Sequence, residues 1–232
     1  MLFRSRLNRP GVIALFEAVT DRLRQRDGPA PIQPIDAKPL PVSRHSQDPD
    51  ARFGRGAGGI DKGYKIYTIW ADGHALPTAW EVEPMNRSEP DVGRGLIQSL
   101  RGSVLLLGDA VYDNNPLYQA TGERGHRLLA PRRYEAAKGI GHHRHSPYRL
   151  EALRWMCDGR LRQLHHEHRR RIETRFGNLV GFGGGLTHLP PWVRRLHRVR
   201  LWVHGKLLLN AVRILEIDDH GRGSSRISRR CD

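Results

Sequence analysis

The stretch VLLLGDAVYDNNPLY (104–118) decides how this chain folds. VLLL is a short continuous apolar run, the pattern of a strand buried on both faces rather than one. Gly108 and Asp109 stop it, and Asn115 followed by Pro116 is a good helix start, predicting a helix over about 116–124. HRLLAPRR (126–133) then reads as another strand. Strand, helix and strand within about 30 residues make a βαβ unit, hence a parallel pair. Asp109 emerges at the C-terminal tip of the first strand, where α/β sheets display their ligands. An acid there is either a turn or cap residue or a functional group, and its type alone does not decide between them.

Working upstream, GYKIYTIW (63–70) and ALPTAWEVE (75–83) are β-rich runs joined around Asp72-Gly73, a hairpin signal. IQPIDAKPLPV (32–42) is extended, with Pro39 and Pro41 limiting good pairing to about Ile32–Lys38. Residues 43–63 are polar and Gly-rich and read as a mobile loop. Ser88 is placed to cap a helix over about 89–101, turning Val92, Leu96, Ile97 and Leu100 inward. Residues 11–26 carry apolar side chains at helical spacing. Downstream, 135–147 is a basic loop, and a long helical region over about 148–180 follows, with a break near Asp158-Gly159. A GFGGG run (181–185) interrupts before a second apolar and basic helix over 191–217. The order predicts an α/β domain: a mixed sheet flanked by helices.

The charge balance narrows the partners. Lys and Arg number 39 against 24 acids, a formal charge of +15. Most of that charge is Arg, whose planar fork suits phosphate oxygens, so the expected partner is nucleic acid. Two cysteines are too few for a disulfide framework or a cysteine-based zinc site. No apolar run reaches the ~18 residues that span a bilayer, which predicts no membrane partner and a cytoplasmic, nucleoid-associated protein. HHRH (142–145) and HHEH (165–168) lack the four fixed ligands of a structural zinc site and read as a basic loop and a helix face.

Two further acids stand out. Asp36 is the only acid inside the first extended segment; Asp48, Asp50, Asp61 and Asp72 lie in loops or turns. Glu173 lies on a helix whose Leu161, Leu164, His168, Ile172, Phe176 and Leu179 recur every three or four residues and are expected to face the core. It stands ~100° from that stripe, on nearly one line with Arg169 and His166. The alternative is a surface Glu paired with Arg169. Three convergent carboxylates would suit hard divalent cations, Mg²⁺ or Mn²⁺, and two such ions can serve an in-line displacement at phosphorus. Lys62, Lys65, Arg132, Arg133, His166 and Arg169 are the candidate DNA contacts.

At these residues the chain resembles the DDE transposases of bacterial insertion sequences. PIDAKPLPV carries the first block, with Asp36. GYKIYTIWADGHALPTAWEVEP followed by LLLGDAVYDNNPLYQ carries the second, with Asp109, and HEHRRRIETRFGNL the third, with Glu173. The resemblance runs over about 32–217. It implies a ribonuclease H-like fold, two divalent ions held by Asp36, Asp109 and Glu173, and metal-dependent cleavage and strand transfer on double-stranded DNA, at element ends and target, by a homodimer. The family's third signature often reads Tyr-x2-Arg-x3-Glu-x6-Lys; Arg169 and Glu173 fit it, whereas His166 and Val180 stand at the Tyr and Lys positions. About 30 residues precede the first block, so 1–30 reads as a helical arm, a remnant of a truncated end-binding region. Residues 31–218 read as the catalytic domain and 219–232 as a disordered basic tail. Two alternatives stay open: a non-catalytic DNA-binding remnant, and a metal-dependent nuclease without strand transfer.

Overall fold

The computed structural model describes residues 9–134, 139–140, 144–181, 186 and 189–228, with side chains to 216. Most of the GFGGG run, two of the residues in HHRH and the last four of the chain lie outside them. The chain order is α1 (Pro10–Arg24), β1 (Ile32–Pro41), β2 (Arg52–Gly56), β3 (Gly59–Ile69), β4 (Ala79–Pro84), α2 (Glu89–Ile97), β5 (Leu105–Leu107), a 3₁₀ turn (Ala110–Tyr112), α3 (Asn115–Glu123), β6 (Arg127–Leu129), α4 (Pro147–Trp155), α5 (Gly159–Gly181) and α6 (Leu196–Ser228). The six strands form one mixed sheet in the order β2–β3–β1–β5–β6, with β4 also paired to β3. β1, β5 and β6 are parallel; β3 runs antiparallel to β1, β2 and β4. This is the sheet flanked by helices that the βαβ reading and the ribonuclease H-like resemblance lead one to expect.

Alternation along β3 divides the core into two. Tyr64, Ile66 and Trp70 turn to one face, where with Leu40 they pack on Ile172, Phe176 and Leu179 of α5 and on Val199, Val203 and Leu207 of α6. Tyr67 and Ile69 turn to the other and, with Ile35 and Leu106, lie under Leu96 and Ile97 of α2, Leu117 and Tyr118 of α3, and Ala152 of α4. Each such aliphatic side chain contributes roughly 1.5–3 kcal/mol. α1 sits on α6, where Thr20 Oγ1 is 2.7 Å from His204 Nε2. On the second face the fit is close enough that a Cβ at Gly122 would run into the ring of Tyr148. Gly122→Ala should cost about 1–3 kcal/mol and lower the thermal midpoint by several degrees, at about 2–4 °C per kcal/mol for a chain of this size. Circular dichroism on heating would check it.

Several sequence expectations need correction. β1 does not fade at Lys38 but pairs with β3 through Pro41, opposite Gly63. The reason is which edge the prolines face. Trp70 N–H donates to Pro34 O and Val42 N–H to Lys62 O, so even-numbered residues bond β3 and odd-numbered ones turn away. Pro39 and Pro41 therefore withhold donors only on the side where β5 has already ended. The region read as a loop over 43–63 contains β2 and the start of β3, paired from Arg52↔Gly63 to Gly56↔Gly59. The β3–β4 connection is no tight hairpin, since Ile69 pairs with Ala79. Its intervening residues serve as a seat for α5: Asp72 Oδ2 takes His168 at 2.8 Å and Arg171 at 2.6 Å, and Arg175 donates to His74 O at 2.7 Å. The backbone of α6 stays helical to Ser228, so residues 219–228 of the expected disordered tail are helical; no proline interrupts them.

Candidate active site

The parallel register of β1 and β5 pairs Ile32 with Leu105, Gln33 with Leu106 and Pro34 with Leu107. Carried two residues further, it sets Asp36 opposite Asp109, on strands about 4.8 Å apart and on the same face. That face is the one covered by α5. Asp36 is the second residue of the β1–β3 ladder, opposite Thr68, whereas Asp109 has just left β5 and opens the 3₁₀ turn. Each carboxylate uses one oxygen locally: Asp36 Oδ1 accepts from Ala37 N–H and Asp109 Oδ1 from Val111 N–H, both at 2.9 Å. Asp109 is thus a cap and a member of an acidic pair at once, so the two readings of its type are not exclusive.

α5 is fastened across this end of the sheet by two side chains. His165 is 3% exposed, and its Nε2 lies 2.7 Å from Gly108 O. A carbonyl only accepts, so Nε2 carries the hydrogen, and burial lowers the ring's pKa, keeping it neutral. One turn on, Arg169 Nη1 donates to Ile35 O at 3.3 Å and pairs with Asp36 Oδ2 at 3.2 Å. Arg169 Nη2 is 4.0 Å from Glu173 Oε1. Asp36 and Asp109 are therefore brought together, while Glu173, 66% exposed, stands outboard and is linked to Asp36 through Arg169. Among the described residues no three His, Cys, Asp or Glu side chains close into a metal cluster.

Burial pushes the Asp36 carboxyl up to about 6, with Asp109 adding in the same direction and Arg169 and the Ala37 amide opposing. The folded chain therefore holds a proton at Asp36 that the unfolded chain releases near pH 4. Stability without metal should decline as pH rises from about 4 to about 6, and Asp36→Asn should flatten that decline in urea titrations. A cation held at Asp36 would compete with the same proton, so any divalent-ion affinity should fall as pH drops through about 6, measurable by calorimetry. The pair suits a hard cation, which takes oxygen donors and is often held by one or two carboxylates: two acids at one level, one of them desolvated and paired with the Arg169 guanidinium.

The basic candidates fare differently. Lys65 is 5% exposed and tied to Glu89 at 2.7 Å, so it is not a DNA contact: its position on β3 turns it into the protein. Lys62 Nζ donates to Ser46 O at 2.6 Å and lies 5.7 Å from the centre of the Phe53 ring. Arg132 donates to Gly139 O at 3.3 Å, and Arg133 lies over the Tyr134 ring at 5.7 Å. His166 is exposed. On α5 the buried stripe is His165, Ile172, Phe176 and Leu179, with Leu161, Leu164 and His168 only half-buried, so the inward face is rotated from the expected one toward His165. His165 could have been found as the residue seven before Ile172, on the same face.

Sequence reasoning also passes over Asp113. Its carboxylate accepts from Arg149 Nε at 2.6 Å and Nη2 at 2.8 Å, and from the Arg133 N–H at 3.0 Å. The Asp113 side chain is 2% exposed and that of Arg149 10%. This forked pair ties the turn after Asp109 to α4.

No curated protein sequence matches the chain. Among solved structures, one described as a cryo-EM structure of piggyBac transposase in a synaptic complex with hairpin DNA is 18% identical, with a TM-score of 0.37 over 51% of this chain and 26% of that one. The chain thus spans about a quarter of that protein's length. The model of the family described as "Transposase DDE domain" matches residues 27–209, a span that holds Asp36, Asp109 and Glu173 and most of the sheet and helices just described, and the chain belongs to that family.

Proposed function

We propose that this chain catalyses metal-dependent DNA strand cleavage and strand transfer for an insertion element of bacterial type, with Asp36 and Asp109 holding the metal and Glu173 completing the set. The observation that carries this reading is the register that aligns the two aspartates on adjacent parallel strands, beneath a basic helix. Mg²⁺ or Mn²⁺, as two ions when bound, would supply activation of the attacking oxygen and charge relief for the leaving one. The chain's own part is to fix Asp36 by Ala37, Asp109 by Val111, and α5 by His165 and Arg169. Glu173 enters by turning past Arg169, whose guanidinium is then freed from Asp36 for phosphate. Arg132, Arg133, Lys62 and His166 are the further candidate contacts to double-stranded DNA, and pairing of two element ends would call for a dimer. The 1–30 arm would assist end binding, with 31–218 as catalytic domain.

A linear duplex carrying candidate element ends, incubated with Mg²⁺ or Mn²⁺ and a supercoiled target, tests the reading. Nicks at the element ends followed by joined products are expected. Nicks without joining would indicate a nuclease, and binding with neither would indicate a DNA-binding remnant. That last alternative has one observation in its favour: a guanidinium rather than a third carboxylate lies against Asp36.

A further inference from the structure

The hairpin made by β2 and the first half of β3 carries an exposed face that the catalytic residues do not use. Cross-strand pairing puts Phe53 opposite Lys62 and Arg55 opposite Ile60, so all four share one face. Phe53 is 54% and Ile60 57% exposed. Arg55 is exposed and has no ion-pair partner among the described residues, and Arg44 reaches in to donate to Ile60 O at 2.6 Å. The opposite face is fixed to the body: a Cβ at Gly54 would collide with the Met85 carbonyl, and Met85 N–H donates to Gly63 O at 3.0 Å. Two bare apolar side chains are thus held in a set orientation, among cations.

We infer that this hairpin is a duplex-DNA arm, with Arg55 and Lys62 on phosphates and Phe53 and Ile60 against the minor groove. Charge supports that occupant, since the face holds cations and apolar groups and its hairpin's one acid, Asp61, pairs across to Gly54 on the other side. Cations flanking exposed apolar wedges are a recurring minor-groove arrangement. Topology supports it too. β3 runs from Thr68, level with Asp36, out to Ile60 past the end of β1, about 26 Å at ~3.3 Å per residue. The arm therefore projects from the same end of the sheet as the two aspartates and would touch DNA about eight base pairs from the reacting phosphodiester, at ~3.4 Å per pair. The position relative to the cut rests on the proposed cleavage reading; contact with duplex does not.

Two measurements on the full chain separate these. With a 40-base-pair duplex of unrelated sequence and no divalent metal, Arg55→Ala should lower the slope of log affinity against log salt by about 0.9, the share of one phosphate. Phe53→Ala with Ile60→Ala should weaken binding about tenfold with the slope unchanged. Unchanged affinity in both variants, with folding intact, overturns the arm. With an element-end duplex and Ca²⁺, a photoreactive benzoylphenylalanine at position 53 should crosslink to DNA about 6–10 base pairs from the junction. Crosslinking to a second copy of the chain, or to no DNA, overturns it as well. Loss of cleavage on mutating the acids is scored separately, so either conclusion can fail alone.

Discussion

Asp36→Asn and Asp109→Asn should each lower metal-dependent nicking about a thousandfold while leaving the protein folded. A bound cation provides several kcal/mol of stabilisation to charge developing on phosphoryl oxygens, and about 4 kcal/mol corresponds to three decades in rate. In the proposed reading, replacing one anionic oxygen by an amide at either position would weaken the hold on the cation at the point where the aligned strands present it. The fold should tolerate both. Asp36 is desolvated and held partly protonated, so a neutral amide relieves an existing cost, and Asp109 caps only a 3₁₀ turn. Glu173→Gln should be milder, about a hundredfold, because Glu173 sits outboard of the pair and, in the proposed reading, would join the cation only after turning past Arg169. Single-turnover nicking on end-labelled duplex, with circular dichroism for folding, checks all three. Full cleavage by Asp109→Asn would remove the aspartates from the chemistry.

The second large effect is on stability. Arg149→Ala or Asp113→Ala should cost about 3–5 kcal/mol, since either leaves an uncompensated charge in the interior. At about 2–4 °C per kcal/mol the thermal midpoint should fall by about 10 °C. Asp113→Leu combined with Arg149→Met should cost less than either alanine change, because apolar groups of similar size replace a pair whose desolvation is itself expensive. The Arg133 amide, which loses its acceptor, keeps the double variant from full recovery. Scanning calorimetry on the three variants distinguishes a buried ion pair from a surface one, for which all changes would stay within about 1 kcal/mol.

The parts legible in the sequence are those governed by local pattern. VLLL reads as a buried strand and forms one over Leu105–Leu107, and the helix after Asn115-Pro116 begins one residue from its expected start. The βαβ unit then made parallel pairing, and hence the meeting of acids far apart in the chain, a matter of topology. What could not be read is set by tertiary partners. The prolines of β1 end pairing only if they face a neighbour, and composition does not tell which way they face. Lys65 looks like a surface cation until the second face of β3 is known to carry helices. The inward face of α5 was displaced because a histidine, polar in any pattern count, takes a core position by bonding one carbonyl. Asp113 escaped notice because its partner lies 36 residues away.

Pro39 and Pro41 bear on aggregation. Beyond Pro34 the flank of β1 that faces away from β3 has no companion strand among the described residues. Its amide hydrogens would be at 37, 39 and 41, yet Ala37 has given its own to Asp36 and the prolines have none. An uncapped sheet margin ordinarily invites sticky edge-to-edge addition of a foreign chain. This one offers no donors to zip against, so it can remain bare beside the two acids without polymerising.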